Sequence, residues 1–85
     1  MASHVERSII EKSLCIQVPT NLHEVPIISN LIRNYQLTVN IRGAILDQKA
    51  TVSGWFDLLL KGDELQVEEG VRYLKQIGVE IWNAK

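Results

Sequence analysis

Between Lys12 and Val18 apolar and polar side chains alternate, with Leu14, Ile16 and Val18 on one side and Ser13, Cys15 and Gln17 on the other. That two-residue period belongs to a strand with one buried face, and Pro19 ends it. From about Val25 to Tyr35 the period lengthens to that of a helix. Ile27, Ile28, Leu31, Ile32 and Tyr35 share one side, Ser29, Asn30, Arg33 and Asn34 the other, and Pro26 suits a first helical position. Alternation then resumes with Leu37, Val39 and Ile41 against Thr38, Asn40 and Arg42. Gly43 signals a bulge or bend that leaves the register beyond it open. Polar residues around Asp47 to Thr51 suit a hairpin connection, after which Phe56, Leu58 and Leu60 alternate with Trp55, Asp57 and Leu59.

At Lys61-Gly62-Asp63-Glu64 the period changes again. Asp63 is a good helix cap, Gln66 stands where a capping-box partner would, and Glu64, Glu68 and Glu69 favour the positive end of the helix dipole. Val67, Val71, Leu74 and Ile77 make the buried stripe, and Gly78 is placed to stop the helix in a left-handed conformation. Val79 to Asn83 gives a short last strand. The order β-α-β-β-α-β predicts an α+β fold of the ferredoxin-like type, a four-stranded antiparallel sheet with two helices on one face. The right-handed crossover rule puts the first and third strands in the centre.

Two helices cover one sheet face, so the purely apolar sets Leu14, Ile16, Val18; Leu37, Val39, Ile41; Phe56, Leu58, Leu60; and Val79, Ile81 are expected beneath them. The other face carries Cys15, Gln17, Thr38, Asn40, Arg42, Trp55, Asp57, Leu59, Glu80 and Trp82. Both tryptophans of the chain stand there. Trp combines a large apolar area with one polar handle, so Trp55, Trp82 and Arg42 mark a candidate interface. The plainer reading is cross-strand packing on a solvated face.

The 85 residues suffice for one domain with one core, and 46% apolar with 22% charged residues is an ordinary globular composition. A net charge of -1 supplies no field for a polyanion or an anionic membrane, which argues against nucleic acid as a partner. Cys15 is the single cysteine, so no intrachain disulfide can form, and a reducing, cytoplasmic compartment fits best. No segment has the roughly 18 to 20 apolar residues of a membrane helix, and the amino terminus lacks a signal peptide's apolar stretch.

Candidate chemistry is sparse. His4 and His23 are too far apart in sequence for a helical metal pair, and one cysteine makes no zinc or iron-sulfur site. His23-Glu24 reads as a solvated loop pair rather than part of a catalytic set. No Gly-rich phosphate motif is present. The RNA-binding RRM shares this element order, and Ser53-Gly54-Trp55-Phe56 echoes its third-strand signature weakly, but the basic residue is missing and Cys15 and Gln17 replace the first strand's stacking aromatics. No enzyme and no cofactor is expected.

Pro26-Ile27-Ile28-Ser29-Asn30-Leu31, Val39-Asn40-Ile41, Gly54, Lys61-Gly62-Asp63 and Tyr73-Leu74-Lys75-Gln76-Ile77-Gly78-Val79-Glu80, in that order and spacing, resemble the NIL domain over about residues 10 to 82. The family takes its name from an Asn-Ile-Leu sequence in the second strand, which here reads Asn40-Ile41-Arg42. The resemblance implies a ferredoxin-like fold and a regulatory role. Such domains form the carboxy-terminal part of the ATPase subunit in methionine importers, pair as dimers and bind methionine, so that internal substrate shuts transport off. Others are fused to ferredoxin-type modules.

With neither an ATPase nor a cluster motif, the chain reads as a freestanding NIL-like domain over residues 1 to 85, with its core at about 10 to 82 and residues 1 to 9 as an extension. By the same resemblance, Asn40 would hydrogen-bond an amino acid's charged ends, with Ile41 as its neighbour on the strand. Pro26, Ile28 and Ser29 would open the first helix, where free amides favour a carboxylate. Arg42 departs from the family's Leu at a level where a methionine side chain would want an apolar slot. The resulting expectation is a cytoplasmic, homodimeric sensor of an amino acid such as methionine. The alternative is an adaptor that docks another protein through the open sheet face or an edge strand.

Overall fold

In the computed structural model the described residues are 8–22, 25–45 and 54–83. Strand β1 spans Ile9–Val18, helix α1 Ile27–Tyr35, strand β2 Thr38–Ile45, strand β3 Gly54–Asp63, helix α2 Glu64–Ile77 and strand β4 Glu80–Asn83, with a single 3-10 turn at Thr20–Leu22. His4, His23, Glu24, Ser53 and the hairpin expected around Asp47 to Thr51 lie outside the described residues. The sheet order is β2-β3-β1-β4 with all neighbours antiparallel, so the first and third strands are central and the α+β, ferredoxin-like expectation holds.

Each boundary has a local cause. Asp63 accepts hydrogen bonds from the backbone N–H groups of Leu65 at 3.1 Å and Gln66 at 3.4 Å, which satisfies two of the donors a helix start leaves open. Gly78 closes α2 at φ 100°, a conformation glycine adopts without strain. Helix α1 begins at Ile27, not Val25: Pro26 occupies the cap position, at φ -79° and ψ 71°, instead of the first helical one. Gln36 ends α1 in the left-handed region at φ 56°. That tight exit turns Leu37 under α2 before β2 begins.

Leu14, Ile16, Val18, Leu58 and Leu60 of the strands, Leu37 and Val79 just before β2 and β4, and Ile27, Leu31, Val67 and Leu74 of the helices form one buried cluster. Both helices join it on the same side, tied to each other by Asn30 Nδ2 donating to the Tyr73 hydroxyl at 2.7 Å and by Tyr35 lying 5.6 Å from Tyr73, centroid to centroid. Ile41 is a correction: it is 52% exposed rather than covered. Strand β2 is an edge, and the helical cover reaches Val39 but stops short of Ile41. Ile32 likewise turns out to be exposed, on the outer side of α1.

Leu37 is held between two glycines. A β-carbon at Gly62 would lie 2.8 Å from Leu37 Cδ2, and one at Gly70 would lie 2.9 Å from Leu37 Cδ1 and 3.3 Å from Leu31 Cδ2. In an open helix, Ala in place of Gly gains about 1 kcal/mol, whereas forcing a methyl into a filled core costs about 1–3 kcal/mol. Gly70→Ala is therefore expected to lower stability by about 1 kcal/mol in urea unfolding. On a Leu37→Val background, which removes the opposing methyl, the same change should become neutral or stabilising.

Candidate functional site

The start of α1, the end of β1 and the start of β3 do not close on one another. Between them lies a half-open cavity of about 310 Å³. Ile16 and Val18 of β1 form one wall, Gly54 and Phe56 of β3 another, and Leu22, Val25 and the first turn of α1 the rest. Gly54, which has no side chain, and Val25 and Pro26 before the helix are among the lining residues. The lining is apolar apart from backbone groups and the Ser29 hydroxyl. Its volume is at the small end for ligand pockets, roughly 300–1,000 Å³.

Three of the residues expected to meet a ligand, Pro26, Ile28 and Ser29, line this cavity together. Pro26 provides no side-chain cap, and Asn30 N–H already bonds the Pro26 carbonyl at 2.8 Å. The first-turn amides of Ile28 and Ser29 precede any intrahelical acceptor. Asn40 and Ile41 are not part of this arrangement. Asn40 pairs with Leu59 across β2 and β3, on the sheet face away from the helices, while Ile41 pairs with Leu58 on the helix side, uncovered. The cavity residues contributed by β1 and β3 read in the sequence only as core. Gly54 next to a run of large side chains was the one signal of a void there.

On the open face, Trp55 and Trp82 lie 6.2 Å apart, centroid to centroid, in a tilted arrangement, with Trp82 54% exposed. The pairing of β2 with β3 slips between Ile41 and Gly43, so Arg42 is the extra residue of a β-bulge. The slip reverses the alternation beyond it. Gly43 comes opposite Asp57 and Ile45 opposite Trp55, which brings Ile45, 72% exposed, onto the tryptophan face. Arg42 itself reaches across two strands: its Nη2 donates to Asp57 Oδ1 at 3.0 Å and to Ser13 Oγ at 2.9 Å. Among the described residues no three His, Cys, Asp or Glu side chains gather to hold a metal ion. No helix among them is long and apolar enough to cross a membrane.

The sequence model of the NIL domain matches residues 13–83. The chain belongs to the NIL domain family. Its relatives include an uncharacterised protein of Synechocystis sp., 34% identical over 84% of this chain and 72% of that protein. Another, from Synechococcus elongatus, is also uncharacterised, at 28% identity over 80% of this chain and 84% of the relative. Among solved structures, the C-terminal domain of an ABC transporter ATP-binding protein from Enterococcus faecalis superposes with a TM-score of 0.74 at 25% identity, over 85% of this chain and 81% of that one. In this NIL domain the residue after Asn40-Ile41 is the bulged Arg42, held on the open face by Asp57 and Ser13.

The Arg42 and Asp57 side chains are 41% and 44% exposed. An ion pair so wet contributes about 0–1 kcal/mol. Arg42→Ala and Asp57→Asn are each expected to lower the unfolding free energy of the isolated chain by less than about 1 kcal/mol. A double-mutant cycle in urea that gave a larger coupling would show that the bridge holds the sheet together.

Proposed function

We propose that this NIL domain is a non-catalytic regulatory module that binds a small amino acid with an apolar side chain, methionine being the first candidate, in the cavity at the start of α1. The apolar hollow beside a helix N-terminus is the observation that carries the reading. An aliphatic or thioether side chain would fill the space among Ile16, Val18 and Phe56. The ligand's carboxylate would meet the first-turn amides of Ile28 and Ser29, where the helix dipole favours negative charge. Family membership supports the reading, as does the likeness to a domain of a transporter's ATP-binding protein. The module would act in the cytoplasm as a homodimer. Asn40 and Ile41 are outside this cavity in their own chain, so they would belong to the ligand site as residues presented by a second copy.

A second reading is a protein-interaction module that docks through the open face without any small ligand. The exposed Trp55–Trp82 pair favours it. Thermal unfolding separates the two readings. At 100 times its dissociation constant a bound amino acid adds about 2.7 kcal/mol, which in a domain of this size raises the midpoint on the order of 10 °C. The rise is expected with methionine and is expected to vanish in Ile28→Trp, whose indole would occupy the hollow while circular dichroism stays unchanged. Asn40→Ala would reduce it only where a second copy supplies that amide. No rise with methionine or any other apolar amino acid would remove the sensor reading.

A further inference from the structure

The cavity at the start of α1 has a wet end and a dry end. Pro26 and Ser29 are exposed at its mouth, whereas Ile16, Val18, Ile27 and Gly54 are buried. Gly54 is the first residue of β3 and pairs with Val18 of β1, so both lie on the sheet face that the helices cover. Strand backbone is extended and open to every residue type, and glycine in a strand forgoes packing and adds entropy to the unfolded chain. The other glycines have reasons in the fold. Gly62 and Gly70 make room for Leu37, Gly78 takes φ 100° to end α2, and Gly43 follows the bulge. Gly54 faces a hollow instead, and a strand glycine of that kind marks a place where a ligand or another backbone comes close.

We propose that Gly54 sets the length of amino-acid side chain that this module accepts, an inference that rests on the amino-acid reading of the cavity. A carboxylate at the Ile28 and Ser29 amides lies at the mouth and sends the ligand's side chain toward the dry end. There the last atoms of a long unbranched side chain, such as the methylthio group of methionine, pack on the bare backbone of Gly54 beside Val18. A side chain at position 54 would stand in that space. A short ligand such as 2-aminobutyrate ends before Gly54 and forfeits the dispersion contacts of the dry end. Ser29 at the mouth is the one polar side chain of the lining, so nothing at the dry end can pair with a polar tip, and length is what remains to sort apolar ligands.

Calorimetric titration of the full chain with L-methionine and with L-2-aminobutyrate tests this. The wild type is expected to prefer methionine. One methylene more or less in an apolar pocket changes affinity about 10- to 200-fold, so Gly54→Ala is expected to weaken methionine at least about tenfold and to leave 2-aminobutyrate little changed. Gly54→Val is expected to reverse the preference. Gly43→Ala, on the opposite face, is expected to keep the wild-type ratio, since a β-carbon there meets Asp57 Cβ at an ordinary 3.9 Å. Urea unfolding of the ligand-free Gly54→Ala chain is expected to match or exceed the wild type, because the added methyl enters a hollow rather than a filled core. An unchanged ratio of the two affinities in both Gly54 variants overturns the proposal, whether the affinities stay or fall together. The amino-acid reading survives that result, because wild-type binding stands. A wild type that binds neither ligand removes both.

Discussion

Two helices can cover one face of a four-stranded sheet and no more. In this chain the uncovered face is as much a product of folding as the core. Leu14, Ile16 and Val18 of β1 and Leu58 and Leu60 of β3 are apolar because water is excluded there, and burying them supplies much of the drive to fold. The opposite face keeps polar groups at intervals, with Ser13, Arg42 and Asp57 linked across three strands. Apolar side chains that reach this face, Trp55, Trp82 and Ile45, cannot be drawn under the helices without shifting every neighbour on their strands by one position.

The helical layer depends on close approach at one point. Leu37 leaves α1 through the left-handed Gln36 and enters the gap between Gly62 and Gly70, where neither neighbour has a β-carbon. This anchors α2 against the start of β2 and sets the depth at which both helices sit. At the opposite end of the layer, toward Gly54 and Pro26, Ile27 is buried in the core, and the apolar cavity lies beside it.

Much of this was legible from periodicity, because burial on one side imposes a period that single residues reveal. The alternation of Leu14, Ile16 and Val18, the cap at Asp63 and the stop at Gly78 needed no partner from elsewhere in the chain. Pro26, Ile28 and Ser29 were marked by the resemblance to the NIL domain, as residues that open α1, and not by periodicity. Periodicity placed Ile41 wrongly. Its strand has the right alternation, but alternation says which side a residue faces and not whether anything lies over it.

The amino-acid sequence by itself determined the order of elements, the centre of the sheet, the two tryptophans on the open face and membership of the NIL domain family, since each follows from local spacing or a linear motif. Only the tertiary structure decided the register beyond Arg42, the pairing of that guanidinium with Asp57 and Ser13, the void beside α1 and the separation of Asn40 from it. Those depend on which strand lies alongside which and how closely a helix settles. These are distances between residues far apart in the chain, and no local period encodes them.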